Sequence, residues 1–177
     1  MSDSTRISRH FSLRSVMAAI IHHGPISRAS IAKRTGLSKQ TISEIVRALE
    51  ADGFVTETGR TSGHVGRRAV TYEIVPSAAY IIAIDLGGTK VRVAIADLSC
   101  RILAEDSAPT DRRGGQDLID QMAELGLATA KRLRIPKKRI RLAVLGVPGV
   151  PEGAGGGVLM APNVAGLGRM DVGRALG

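Results

Sequence analysis

The chain has 177 residues, with 25 Lys+Arg against 16 Asp+Glu, and its formal net charge is +9. With 44% apolar and 23% charged residues it has the composition of a globular protein, which excludes the disordered and fibrous classes. Two Tyr, two Phe and no Trp argue against a single-strand binding platform, because such platforms stack bases on aromatic rings. Its single cysteine, Cys100, and the lack of zinc-ligand spacing argue against an internal disulfide and a zinc site.

The longest apolar runs, at residues 16–21 and 78–84, are far shorter than the roughly 20 residues that span a bilayer. The first run also lacks the small-residue cleavage site of a signal peptide. We therefore expect a cytoplasmic protein with no membrane partner.

The composition changes at Pro76. Up to Val75 the chain is dense in Ser, Thr and Arg and holds all four His, whereas β-branched runs and glycines dominate afterwards. Pro76 follows a strand-like run, and proline commonly ends such a run. We therefore predict two domains, residues 1–75 and 76–177.

The first domain begins with a helical pattern. Apolar residues recur at helical spacing between Leu13 and Ile21, and Gly24-Pro25 ends that helix. Ser27 and Ser38 are placed to cap two further helices, and Gly36 between them permits the positive φ of a tight turn. A short helix, a glycine turn and a capped helix are typical of a helix-turn-helix.

The third helix has one apolar face and one polar face. Its apolar residues follow i, i+3, i+4, i+7 spacing and are predicted to face inward: Ile42, Ile45, Val46 and Leu49. A helix-turn-helix places the other face in the major groove. We therefore predict double-stranded DNA as the partner, contacted by Ser38, Lys39, Gln40, Thr41, Ser43 and Arg47. Of these, Gln40 is the best candidate for a bidentate adenine contact. A winged module that binds protein instead is the alternative.

Two strands, Phe54–Glu57 and Ala69–Ile74, are predicted to follow. The loop between them, residues 58–68, carries three glycines and three arginines. Such a hairpin is predicted to be a wing whose arginines contact phosphates or the minor groove: Arg60, Arg67 and Arg68. A solvated basic loop is the alternative for each arginine.

The second domain begins with strand patterns on either side of a Gly87-Gly88 turn, at residues 79–85 and 91–97. A strand, a helix and another strand are predicted at residues 101–105, 116–133 and 141–147. Glycines in the turn would let backbone amides approach an anion, and an ordinary hairpin without a ligand is the alternative.

Residues 131–141 carry seven cations and no acid. They are either a second nucleic-acid patch or a solvated helix end followed by a loop.

Three segments resemble the ROK family of repressors and sugar kinases, in its regulator branch. They are Asp85-Leu86-Gly87-Gly88-Thr89-Lys90 behind a helix-turn-helix and basic wing, Gly146-Val147-Pro148-Gly149, and Pro162-Asn163-Val164-Ala165-Gly166. The resemblance implies an α+β fold, a winged helix-turn-helix followed by an incomplete actin-like (ribonuclease-H-type) α/β domain. It also implies that a vestigial phosphate site lies at the positions that hold ATP phosphates in the family's kinases: Asp85, Gly87, Gly88 and Thr89.

Kinases of the family take a catalytic base and sugar-binding carboxylates from an Asn-Asp segment and a Glu-x-Gly-His segment, followed by a Cys-rich zinc loop. None of these occurs among the 177 residues, whose four His all lie within the first 64. We therefore expect no enzyme activity, no metal and no cofactor.

The expected function is a DNA-binding transcriptional regulator, a repressor of carbohydrate-utilisation genes, that acts as a homo-oligomer. Its sugar-sensing domain is expected to be truncated, with an impaired response to a sugar or sugar phosphate effector. The alternatives are a ROK sugar kinase-like protein and a non-functional fragment or interaction protein.

Overall fold

The computed structural model describes residues 3–61, 69–148, 150–152 and 157–159. It divides the chain into two compact units, Met1–Ala78 and Ala79–Gly177. A short 3₁₀ turn, Pro76–Ala78, lies between the predicted boundary and this division. Within the described residues, every helix is too short or too polar to cross a membrane.

Three helices build most of the first unit: α1 (Asp3–His23), α2 (Arg28–Thr35) and α3 (Lys39–Ala51). The amide of Ser30 donates to Ser27 Oγ at 3.2 Å and so caps the start of α2. At the other end of α2, Gly36 has φ +71° and donates its amide to the Ala32 carbonyl at 3.0 Å. The predicted capping residue and glycine turn are therefore confirmed.

The core of this unit lies beneath α3. Ile42, Val46 and Leu49 are buried, and the helix packs against α1 and α2. Residues buried on those two helices are Val16, Ala19, Ile20 and Ile31. Each large apolar side chain removed from water contributes about 1.5–3 kcal/mol. The apolar stripe of α3 thus holds the helix in place, although Ile45 is only half-buried.

A small antiparallel sheet completes the first unit. Its strands run in the order β1-β3-β2, where β1 is Ile26–Ser27, β2 is Val55–Thr61 and β3 is Ala69–Ile74. The buried residues Tyr72 and Ile74 of β3, and Val55 of β2, close the core from the side of the sheet.

Strand β2 is longer than predicted. The register shifts between Glu57 and Gly59, and the Thr71 hydroxyl donates to the Gly59 carbonyl at 3.3 Å. Because this irregularity accommodates the glycine, pairing continues to Thr61. Arg60, which the sequence placed in a loop, therefore lies on β2 opposite Val70.

The second unit has a four-stranded sheet in the order β6-β5-β4-β7. Strands β4, β5 and β6 are antiparallel neighbours, and β7 pairs parallel to β4. The elements are β4 (Tyr80–Leu86), β5 (Lys90–Asp97), β6 (Ile102–Pro109), α4 (Gly115–Arg132) and β7 (Ile140–Gly146). The predicted order of three antiparallel strands, a helix and a fourth strand is thus confirmed. A two-stranded hairpin that was not predicted follows, formed by β8 (Val150–Glu152) and β9 (Gly157–Leu159).

Helix α4 covers one face of this sheet. Its buried residues Leu118, Ile119 and Met122 form a single cluster with the apolar strand residues, which include Ile82, Ile84, Val93 and Ile95. On the strand β7, Leu142 and Val144 pair with Ile81 and Ala83 and are 53% and 49% exposed. The apolar core of the unit therefore lies on the α4 side of the sheet.

The turn between α2 and α3 depends on a backbone conformation that residues with a Cβ atom rarely adopt. Since Gly36 has φ +71°, we expect Gly36→Ala to lower the free energy of unfolding by about 1–2 kcal/mol. Gly36→Asn should cost less, because asparagine tolerates this region. Urea denaturation of the three proteins measures the difference. Equal stability of Gly36→Ala and the wild type would contradict the role of the turn.

Candidate nucleic-acid interface

The solvent-exposed face of α3 is defined by the burial of its other face. Gln40, Glu44 and Arg47 follow i, i+4, i+7 spacing and are exposed, on the side of the helix opposite Ile42 and Val46. We call these three residues the polar ridge of α3. The second helix of a helix-turn-helix presents an exposed face of this kind to a groove, and Gln40 lies near the N-terminus of α3, where base contacts are made.

Ser38 and Thr41 build the start of the helix. The Thr41 amide donates to Ser38 Oγ at 3.1 Å, and the two hydroxyl oxygens lie 2.9 Å apart. The Ser38 carbonyl accepts the first helical hydrogen bond, from the Ile42 amide at 3.0 Å. Both hydroxyls, which were predicted to contact DNA, thus have partners within the protein. Their contact with DNA stays a prediction.

Ser43, another predicted contact, is half-buried and donates its hydroxyl to the Lys39 carbonyl at 2.9 Å. The side chains of Lys39 and Arg47 differ from that of Ser43 in their exposure and in their contacts. Both are exposed, and neither forms an ion pair or hydrogen bond with another side chain in the described part of the protein. Their charges are therefore available to phosphate groups.

The polar ridge contains a hydrogen bond that the sequence patterns did not predict. Gln40 Nε2 donates to Glu44 Oε1 at 3.0 Å, and both side chains are exposed. Side chains four residues apart on a helix face one another, so the i, i+4 spacing was the signal that could have shown this pair. The predicted adenine-reading amide is thus in contact with a carboxylate.

The predicted wing is described only in part. The backbone of Arg60 lies on β2, next to the loop that joins β2 to β3. Arg67 and Arg68 lie outside the described residues. Contacts of all three arginines with DNA stay predictions.

The glycine turn of the second unit joins β4 to β5. The Gly87 amide donates to the Lys90 carbonyl at 2.9 Å, so this amide belongs to the hairpin. Thr110 holds the turn from outside, since its hydroxyl donates to the Gly87 carbonyl at 2.7 Å and its amide donates to the Thr89 carbonyl at 3.1 Å. Gly88 and Thr89 are exposed at the tip. An anion at this turn would therefore meet the amides of Gly88 and Thr89 rather than that of Gly87.

Asp85, the remaining predicted phosphate-site residue, lies at the end of β4 on the sheet face opposite α4. Its Oδ2 is 3.9 Å from Arg92 Nη1, and both side chains are more than two-thirds exposed. An open groove of about 770 Å³ runs over this face past Glu105 and Ser107. Among the described residues, no three His, Cys, Asp or Glu side chains are grouped as metal ligands would be.

The connection from β6 to α4 is held by Asp111 and Arg113. Arg113 donates from Nε and Nη2 to the Asp111 carboxylate, and this hydrogen bonding lowers the pKa of Asp111. The same contact raises the pKa of Arg113, which also pairs with Asp117 at 3.0 Å. Since Thr110 precedes Asp111, these contacts anchor the segment that holds the glycine turn.

The basic stretch at residues 131–141 is divided between several elements. Lys131 and Arg132 lie in the last turn of α4, where cations complement the helix dipole. Arg132 also pairs with Asp106 of β6. Of the two interpretations of this stretch, a second nucleic-acid patch or a helix end followed by a loop, the second accounts for Lys131 and Arg132.

Both units resemble known proteins. Residues 15–68 match the family model described as the MarR family. The xylose repressor of Caldicellulosiruptor bescii is 30% identical over 152 residues, which cover 84% of this chain and 38% of that protein. The DNA-binding transcriptional dual regulator NagC of Escherichia coli K12 is 27% identical over 153 residues, which cover 84% of this chain and 37% of that protein.

A crystal structure described as a ROK family transcriptional regulator, a homolog of the E. coli MLC protein, has the same fold. It aligns with 97% of this chain and 42% of its own length, with a TM-score of 0.68 and 22% sequence identity. The fold is therefore that of a winged helix-turn-helix protein with an attached α/β sheet unit. The chain is thus similar in fold to a ROK family regulator, and it spans about two fifths of the length of the curated relatives it matches.

The capping role of Ser38 can be separated from any contact with DNA. We expect Ser38→Ala to lower the free energy of unfolding by about 1 kcal/mol, because it removes the acceptor for the Thr41 amide. Ser43→Ala is the matched control, since its hydroxyl bonds back to a carbonyl that is already part of the helix. Thermal and urea denaturation measure the stability of the two variants. An equal loss of stability in Ser38→Ala and Ser43→Ala would contradict the assignment of the cap.

Proposed function

We propose that the protein is a DNA-binding transcriptional regulator that represses carbohydrate-utilisation genes. The curated relatives reported above carry the names xylose repressor and NagC, a DNA-binding transcriptional dual regulator. The observation that carries the proposal in this chain is the exposed polar ridge of α3, flanked by Lys39 and held by a buried apolar stripe. Duplex DNA as the partner would place the protein in the cytoplasm.

The proposed division of roles follows from the partners of each side chain. Lys39 and Arg47 would contact phosphates, because their charged groups have no partner among the described side chains. Gln40 would read an adenine through its amide. Ser38, Thr41 and Ser43 would position the helix and add contacts at its start. Arg60, Arg67 and Arg68 would contact phosphates or the minor groove from the wing.

The second unit is proposed to sense a sugar or sugar phosphate. The glycine turn would meet the anionic part of such an effector with the backbone amides of Gly88 and Thr89, which lie at its exposed tip. We also propose that the protein acts as a homo-oligomer, since dimeric helix-turn-helix proteins bind two half-sites one helical turn apart.

The proposal predicts two kinds of variant. Lys39→Ala and Arg47→Ala should weaken binding to all duplexes alike. Each lost phosphate contact should also make the slope of log K against log salt concentration shallower by about one. Gln40→Ala should keep the salt dependence and lose preference for the selected duplex. Fluorescence anisotropy with a selected and an unrelated duplex, between 50 and 200 mM salt, measures both quantities.

Arg101→Ala serves as the control for these variants, because it removes an exposed cation from the sheet unit. It should leave affinity and slope unchanged. Arg67→Ala tests the wing in the same assay and should lower both affinity and slope. If Gln40→Ala keeps the wild-type preference for the selected duplex and Arg67→Ala keeps the wild-type affinity and salt slope, the contact assignment is wrong.

A sugar kinase is the competing function. Because the sequence lacks a Glu-x-Gly-His segment, and its four His all lie within the first 64 residues, we expect this chain to transfer no phosphate from ATP to hexoses. Incubation with labelled ATP and a panel of hexoses, with a hexokinase as the positive control, measures transfer. Turnover above the no-enzyme background would contradict the proposal.

A further inference from the structure

An acidic residue occupies the middle of the polar ridge. Glu44 lies four residues after Gln40 and three before Arg47, and its carboxylate is exposed. The proposed partner of this face is a polyanion, and binding to it is favoured by cations and opposed by carboxylates. On charge alone, Glu44 would weaken binding to every DNA sequence. Its position therefore needs another explanation.

The hydrogen bond to Gln40 supplies one. A primary amide has two N–H donors on nitrogen and one carbonyl acceptor, and a carboxylate only accepts. With Gln40 Nε2 donating to Glu44 Oε1 at 3.0 Å, the nitrogen of the amide must face Glu44. One N–H and the carbonyl oxygen Oε1 remain free. These are the donor and the acceptor that adenine N7 and the N6 amino group require.

The contact also reduces the freedom of the side chain before DNA arrives. A long, exposed glutamine has several rotamers, and immobilising such a side chain at an interface opposes binding. The hydrogen bond to Glu44 favours one orientation of the Gln40 amide on the surface of α3. The entropic loss on binding adenine is then smaller.

We infer that Glu44 is a positioning residue, which orients the Gln40 amide for adenine and disfavours DNA that offers no adenine at that place. The inference rests on the proposed function. On this inference, Glu44 raises selectivity and lowers affinity. Its charge opposes binding to every duplex, while its hydrogen bond to Gln40 favours binding to adenine.

The test compares two duplexes, a site selected by the wild-type protein from a random library and the same site with the contacted adenine changed to guanine. The quantity measured is the ratio of the two affinities. Gln40→Ala should lower the ratio by about tenfold. Glu44→Ala should lower it by roughly twofold, through loss of the hydrogen bond that orients the amide, while raising affinity for the guanine duplex.

Two further variants separate hydrogen bonding from charge. Glu44→Gln removes the charge but keeps a hydrogen-bonding partner. Because its amide can donate as well as accept, it no longer fixes which way the Gln40 amide faces, so it should raise affinity for both duplexes and lower the ratio less than Glu44→Ala does. Glu50→Ala removes an exposed carboxylate from the same helix, ten residues from Gln40, and should leave the ratio unchanged. The double variant Gln40→Ala, Glu44→Ala should have the ratio of Gln40→Ala alone.

Each failure has a distinct meaning. If Gln40→Ala lowers the ratio and Glu44→Ala does not, Glu44 is only a surface partner of Gln40 and the inference is overturned. If neither changes the ratio, the adenine contact is wrong and the inference falls, while binding to DNA stands. If the wild type shows no salt-dependent binding to any duplex, the proposed function itself fails.

Discussion

Burial of one stripe of α3 is the constraint on which the rest of the winged unit depends. Ile42, Val46 and Leu49 are nearly inaccessible to water, so the rotation of the helix about its axis is fixed. Successive side chains of an α-helix are about 100° apart, and a shift of one residue would turn the polar ridge out of its exposed position. The positions of Gln40 and Arg47 therefore follow from apolar packing rather than from any contact of their own.

Polar groups on the same helix divide into those that complete the fold and those that are left for a partner. The Ser38 hydroxyl accepts the Thr41 amide at the start of α3, where backbone amides would otherwise have no acceptor, and the Thr41 hydroxyl bonds to the Ser38 hydroxyl. The charged groups of Lys39 and Arg47 form no hydrogen bond or ion pair with another side chain among the described residues. The same distinction applies to the glycine turn, where the Gly87 amide closes the hairpin and Gly88 lies at the exposed tip.

Features encoded by neighbouring residues could be predicted from the sequence, and features that need distant partners could not. The caps at Ser27 and Ser38 and the turn at Gly36 depend on residues within one helical turn, and all three were correctly placed. The extent of β2 was wrong because a bulge near Gly59 is matched by Thr71, on the neighbouring strand. The contacts of Thr110 with the glycine turn join segments more than twenty residues apart, and no local pattern reveals them.

The central claim is that α3 reads bases in the major groove through Gln40. Replacing single adenines of a selected site by 7-deazaadenine removes the N7 acceptor without altering the base pairing, and binding of each substituted duplex can be measured for the wild type and Gln40→Ala. One adenine should be found at which the replacement weakens wild-type binding about tenfold and leaves Gln40→Ala unaffected. If the two proteins respond alike at every adenine, Gln40 does not read an adenine through its N7, and the central claim is wrong.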